Sequence, residues 1–387
     1  MTPSDPVTAF EHAFAARVGQ PYAVSVTYAR LGLRMLLDAL GIRPGDEVIV
    51  SALTCRVVVL AIQSAGFRPV YADLQSSGAL NMDASSVARR LTSRTRAIVF
   101  QHTYGTHTGL DAIVDLASRR GIPLIEDCAH CLPPSSPSQG VGARGIASIW
   151  SHNFRKPMPL GAGGCVVTGD EHLAGLIRKV RDAGPVRSPL GELQWQLTRV
   201  AYDAVLSPSR YWPLWTLNRR LRRNQERQTL QDSIREEVTS LPVRISSRQA
   251  EWGLRGLRDA DRRVAHAGQL SSQYDGALGD LSTIQKVPAA TKSPLYYYPV
   301  LARYKDALLD AARRRRMELI AWPLSTPIYP IERQSELAQS EYAMGSCPDA
   351  EERARTLCGL PVDLQATKGS AQNLIDLLRA VDAGGVR

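Results

Sequence analysis

The sequence predicts an α/β protein in which a mostly parallel sheet, covered on both faces by helices, precedes a smaller α/β domain. Three observations carry that prediction. From residue 30, short apolar runs alternate with segments of helical spacing. The runs lack the polar alternation of a half-exposed sheet, as expected of strands buried on both faces. The rhythm stops near residue 186 and resumes in a different form after about 290.

Taken in order, "LGLRMLLDALG" has helical spacing, "DEVIV" reads as a strand, "CRVVVLAIQSAG" as a helix ended by Gly66, and "RPVYAD" as a strand. "TRAIVF", "LDAIVDLASRRG", "IPLIED", "ASIWS" and "CVVTGD" continue the alternation. The stretch from about 186 to 238, rich in Arg, Gln, Leu and Trp, reads as a helical insertion without a matching strand. After it come "LYYYPVLA", the helix "YKDALLDAARRRR", "MELIAW", a helix across "DAEERARTLC", the short "LPV" and a closing helix "AQNLIDLLRAV". The expected division is a large domain over 1–254 and a small one over 255–387.

Composition bounds the function. With 387 residues, 44% of them hydrophobic and 22% charged, the chain can bury a sizeable core. No run reaches the roughly 18 apolar residues of a membrane span, and the first residues lack a secretion signal, so a cytoplasmic location is expected. Six scattered cysteines argue against a disulfide framework, and the Cys128–Cys131 CxxC lacks a second ligand pair, so no metal is expected. Much of the net charge of +10 sits in "NRRLRRNQER" (218–227) and "RRRR" (313–316). These runs are either solvated helix faces or contacts for an anionic partner; no nucleic-acid reading motif accompanies them.

In open α/β sheets, ligands bind beyond the carboxyl ends of strands. "IPLIED" ends in Glu126 and Asp127, "AIVFQHTYG" carries His102 and Tyr104, and "ASIWSHNFRK" carries Ser151 and Lys156. Singly, these are a cap, a core histidine and a surface charge. Together they match an electron-sink cofactor: a carboxylate for a protonated pyridine nitrogen, an amine for the cofactor aldehyde, and hydroxyl or amide groups for its phosphate. "GAGG" (161–164) fits neither a Walker nor a Rossmann loop and reads as a tight turn into "CVVTGD".

With "GIRPGDEVIVSALTC", "AGFRPVYADL", "LTSRTRAIVFQHTYG", "GIPLIEDCAH", "SHNFRKPMPLGAGGCVVTGD", "RISSRQAEWGL" and "GLPVD" in order, the chain resembles the DegT/DnrJ/StrS-type aminotransferases from about residue 28 onward. The resemblance implies a fold-type I PLP-transferase, with a mostly parallel seven-stranded sheet in the large domain and an active site at a homodimer interface. It also implies pyridoxal 5'-phosphate, an amino-acid donor such as glutamate, and a nucleotide-linked keto-sugar as acceptor. By motif, Lys156 matches the Schiff-base lysine and Asp127 the partner of the pyridinium nitrogen. His130 falls near the phenolic oxygen, and Ser151 at the phosphate.

Three positions depart from the family pattern. Its Ser-Gly-Thr phosphate turn aligns with Tyr28, Ala29 and Arg30, so a guanidinium stands in for hydroxyl contacts. Its stacking aromatic aligns with Cys55. The asparagine lent by the neighbouring subunit aligns with Pro242, which has no donor. Within the insertion, Tyr211, Trp212 and Trp215 precede Arg219, Arg220, Arg222 and Arg223, a composition suited to peripheral membrane contact through 207–227 or to a flap on the dimer partner. Two alternatives follow: a lipid-linked or other non-sugar ketone as acceptor, or a non-catalytic regulatory protein on the same scaffold.

Overall fold

The computed structural model describes residues 5–134, 140–205, 244–288 and 295–384. Helix α1 (Pro6–Val18) leads into strand β1 (Tyr22–Val26), followed by α2 (Ala29–Ala39), β2 (Glu47–Ser51), the two-residue β3 (Thr54–Cys55) and α3 (Arg56–Ser64). Next come β4 (Arg68–Ala72), α4 (Ala84–Arg90), β5 (Thr95–Gln101), α5 (Leu110–Arg120) and β6 (Leu124–Asp127). Strands β7 (Ala147–Ser151) and β8 (Gly164–Thr168) and helices α6 (Glu171–Ala183) and α7 (Pro189–Val205) complete this part.

One sheet runs in the order β1-β8-β7-β6-β5-β2-β4. Strands β4, β2, β5, β6 and β7 are mutually parallel, while β8 pairs antiparallel with both β7 and β1. The central strands are apolar throughout because helices cover both faces: Ala97–Phe100 and Leu124–Ile125 are buried. Parallel pairing sets Gln101 opposite Asp127 and Asp127 opposite Ile149, so Ser151 lies two residues beyond Asp127 at the same, carboxyl end of the sheet.

The "GAGG" segment is a turn, as its composition suggests: Gly161 and Gly163 take φ of 85° and 131°. Gly164 permits a close approach, since a Cβ there would lie 2.7 Å from both the Ala29 nitrogen and the Trp150 carbonyl. The start of α2 is thereby drawn against β7 and β8.

The later elements are α8 (Ser247–Ala277), β9 (Ile284–Lys286), β10 (Tyr297–Ala302), α9 (Lys305–Arg314) and β11 (Ile328–Tyr329). They continue with α10 (Gln334–Leu337), α11 (Pro348–Thr356), β12 (Leu357–Pro361) and α12 (Lys368–Asp382). A second sheet has the order β12-β10-β9, all antiparallel, and buries its own core against α8, α9 and α12. Helix α8 opens with a capping box between Ser246 and Gln249 and runs unbroken past residue 254. It packs on α1, through an Arg17–Asp261 ion pair, and on α12.

The structure adds α1 and β1, which precede the alternation legible in the sequence, and a parallel β3–β11 pair that ties residues 328–329 to the first sheet's strand ends. "MELIAW" forms only an isolated bridge, Ile320 to Gly359, in place of a strand, and the strand read at "LPV" starts earlier, at Leu357. Of the insertion, α7 is described and is helical; residues 207–227 and Pro242 lie outside the described residues. Among the described residues, no helix is long and apolar enough to cross a membrane.

Candidate active site

Asp127 ends β6 in the middle of the sheet and is buried. One carboxylate oxygen accepts the Ala129 N–H at 3.0 Å; no other described residue hydrogen-bonds this side chain. Burial pushes its pKa up, while the Ala129 N–H, Lys156 and His102 pull it down. It is therefore a carboxylate with room for a proton-bearing partner.

The preceding residue is committed to structure. Buried Glu126 accepts N–H bonds from Gly142 (2.9 Å), Arg144 (2.6 Å) and Gly145 (2.9 Å) and pairs with His102 Nε2 at 2.9 Å. These contacts anchor the loop between β6 and β7 to the strand end that presents Asp127. Cys128 and Cys131, also buried, follow it, with the Cys131 N–H donating to the Cys128 carbonyl at 2.9 Å.

Lys156 follows β7 in a turn held by its own N–H to the Asn153 carbonyl at 3.0 Å. Burial lowers its pKa, opposed by Cys55, Asp127 and Cys131, in that order. The amine lies 5.6 Å from the centroid of the Tyr296 ring and makes no hydrogen bond or ion pair among the described residues. Lys305 differs: its buried ammonium donates to the carbonyls of Pro323 (2.7 Å), Leu324 (3.0 Å) and Ala354 (2.7 Å). One lysine is saturated by backbone carbonyls; the other has no hydrogen-bond or ion-pair partner among the described residues.

His130 is held from behind by the Tyr104 N–H, which donates to Nδ1 at 3.3 Å. Its ring lies 4.9 Å from Tyr296 at 31° and 5.0 Å from Trp322 at 83°. Burial, reinforced by Lys156, keeps it well below the usual histidine pKa, hence neutral. Tyr104 itself takes a left-handed φ of 56° and donates its hydroxyl to the Trp322 carbonyl at 2.7 Å. Backbone strain at a buried aromatic residue is tolerated here because both ends of the residue are bonded.

Cys55, half-buried at the start of α3, interacts electrostatically with Lys156, Asp127 and Arg30, and burial raises its pKa. Arg30 lies in the first turn of α2 with its guanidinium 4.1 Å from the Tyr28 ring centroid. The α2 N-cap, Tyr28, makes no side-chain capping bond, so this helix start offers positive backbone potential beside Arg30. Ser151 pairs with Gly164, the residue pressed against Ala29. The sheet thus brings Ala29, Arg30, Cys55, Asp127, His130, Ser151 and Lys156 to one end.

Sequence reasoning missed Tyr296 and Trp322. Three consecutive tyrosines at 296–298 were a usable signal, because alternate faces of a strand do not all call for large rings.

The profile of the DegT/DnrJ/EryC1/StrS aminotransferase family matches residues 1–206, more than half of the chain. The spore coat polysaccharide biosynthesis protein SpsC of Bacillus subtilis (strain 168) is 38% identical over 172 residues, 44% of either chain. GDP-perosamine synthase of Escherichia coli O157:H7 is 37% identical over 164 residues, 42% of this chain and 45% of that protein. The chain therefore matches less than half the length of these relatives. DesV of S. venezuelae, solved with a ketimine intermediate, superposes with a TM-score of 0.76 at 24% identity, covering 99% of this chain and 90% of that one. That likeness establishes the fold, that of fold-type I enzymes. With the profile covering both Asp127 and Lys156, the chain belongs to the DegT/DnrJ/EryC1/StrS aminotransferase family.

Proposed function

We propose that the protein is a pyridoxal 5'-phosphate-dependent aminotransferase that moves an amino group from an amino acid, glutamate first among them, to the keto group of a nucleotide-linked sugar. The observation that carries this reading is the unpartnered Lys156 amine held in the electrostatic company of Asp127. A lysine serving stability alone would be bonded as Lys305 is. Relatives named for GDP-perosamine synthesis and spore coat polysaccharide support the sugar acceptor.

The donor set fits the cofactor. The Asp127 oxygen not used by Ala129 suits a protonated ring nitrogen, and the unbonded Lys156 amine suits the aldehyde. The α2 start, Ala29, Arg30 and Ser151 suit the phosphate, with His130 and Cys55 beside the ring. When bound, the cofactor supplies an electron sink that acidifies the Cα–H of the amino donor.

The chain's own residues do the rest. Lys156, its pKa lowered by burial, would take the proton from the donor's Cα as a neutral amine and serve as the proton carrier of the exchange. Asp127 holds the ring-nitrogen proton, and neutral His130 presents a ring nitrogen without adding positive charge. Tyr104, Tyr296 and Trp322 wall the site and exclude water. We further assign residues 1–254 to the large domain and 255–387 to the small one, a homodimeric assembly and a cytoplasmic location.

Glutamate alone should release one 2-oxoglutarate per active site in a single turnover, and Lys156→Ala should release none. Wild type that releases no keto acid from any amino acid, though loaded with cofactor, would favour the regulatory alternative. A second acceptor class rests on one observation: α7 exposes an apolar stripe of Leu190, Leu193, Leu197 and Val200. Sedimentation with anionic vesicles at low salt tests a lipid-linked ketone, and no binding removes it.

A further inference from the structure

Tyr296 stands one residue before β10 and reaches the Lys156 turn from the second sheet. Its backbone N–H donates to the Tyr104 carbonyl at 2.9 Å, and its hydroxyl donates to the carbonyl of Arg155, the residue before Lys156. With both ends tied, the ring is fixed between two groups of the site. One is the Lys156 amine, whose Nζ lies 5.6 Å from the ring centroid, and the other is the His130 imidazole, at 4.9 Å and 31°. The Arg155–Glu318 ion pair, at 3.8 Å, ties the same turn a second time to the later elements.

The amine is within the reach of a cation–π contact, about 6 Å from the ring centroid. Such a contact stabilises a charge without fixing the direction of any N–H bond. Lys305 shows the alternative, three carbonyls that immobilise its ammonium. A proton carrier is charged between taking up a proton and releasing it, and burial disfavours that charge. The other titratable groups that face Lys156 are Cys55 at the end of β3, Asp127 at the end of β6, and His130 and Cys131 just beyond it. All of these come from the strand ends of the first half of the chain; Tyr296 alone among them comes from the second sheet's side.

We propose that Tyr296 is the positioning residue of Lys156: its hydroxyl holds the turn that carries the lysine, and its ring face keeps the ammonium in place while leaving it free to swing. The catalytic consequence rests on the aminotransferase reading; the contact itself does not.

Lys156 and Tyr296 both line a cavity of about 430 Å³ between the Lys156 turn, α8, the end of α9 and the start of α12, so a small aldehyde reaches the amine. The test is reductive methylation of the cofactor-free protein with trace formaldehyde and cyanoborohydride across a range of pH, mapped by peptide mass spectrometry. Only the neutral amine reacts, so the inflection of the Lys156 profile reports its proton affinity. Tyr296→Leu removes the ring's attraction for the charged form; the inflection should fall by about one pH unit, and labelling below it should speed up about tenfold. Tyr296→Phe keeps the ring, loses the hydroxyl and should restore the wild-type inflection. In cofactor-loaded protein, Tyr296→Leu should slow single-turnover keto-acid release from glutamate at least about tenfold, and Tyr296→Phe less, with half-saturating glutamate unchanged. Tyr296→Met serves as the ring-free variant if Tyr296→Leu does not fold. An inflection unmoved in the ring-free variant, moved as far in Tyr296→Phe, or absent because Lys156 takes no label at any pH overturns the proposal. A moved inflection in a protein whose wild type releases no keto acid removes the aminotransferase reading and leaves the contact standing.

Discussion

Replacing each of two secluded lysines by methionine should change stability in opposite directions. Lys305 donates to three carbonyls at 2.7–3.0 Å. Lys305→Met removes three charge-assisted bonds and strands their acceptors, costing about 3–5 kcal/mol. That corresponds to a fall on the order of 5–10 °C in melting temperature. Lys156 has no such bonds, and burial works against its charge. Lys156→Met in cofactor-free protein should therefore be neutral or stabilising, by up to about 1 kcal/mol.

The pH dependence follows from the same direction of shift. The folded-state pKa of Lys156 lies below its ordinary value of 10.5, so the unfolded chain binds the proton more readily between the two values. The penalty is complete below the lowered pKa and is relieved as pH rises to the ordinary one. The advantage of Lys156→Met should be largest near neutrality and vanish above pH 10.5. Thermal unfolding of both variants, followed by circular dichroism across that range, measures it. Equal destabilisation by the two substitutions would show that the Lys156 ammonium is partnered, refuting the reasoning.

Other consequences are equally specific. Glu126→Gln sets an amide donor among three backbone N–H donors and His102, and should destabilise by about 2–4 kcal/mol in denaturant titration; an unchanged midpoint would contradict that role. Asp127→Asn should preserve the fold but lower turnover by at least about 100-fold, because the amide cannot hold the ring-nitrogen proton; steady-state kinetics at saturating cofactor decides. Arg30→Gln should weaken cofactor affinity by about tenfold, read by equilibrium dialysis, whereas a guanidinium serving only to pack on Tyr28 would leave it unchanged.

The sheet was legible because strands buried on both faces must be apolar end to end, and "AIVF" and "PLIE" have few other uses in a soluble chain. The polar strand ends were legible for the complementary reason: Asp127 and Ser151 have no place in a core without a task. β1 was not, since "YAVSV" is five residues long and hidden before the first clear helix, and only its pairing with β8 makes it a strand. Tyr296 and Trp322 reach His130 from far along the chain, a convergence set by how the second sheet docks. "RRRR" was ambiguous for a local reason: Arg313 turns outward to Asp310, while Arg315 and Arg316, two and three residues later, line the cavity.

The central claim is that Lys156 is the amine that carries the cofactor. Protein reconstituted with pyridoxal 5'-phosphate, reduced with borohydride and mapped by peptide mass spectrometry tests it directly. The pyridoxyl group should be found on Lys156 alone and be absent from Lys156→Ala. Stable attachment to another lysine, or no attachment in wild type, would contradict the account.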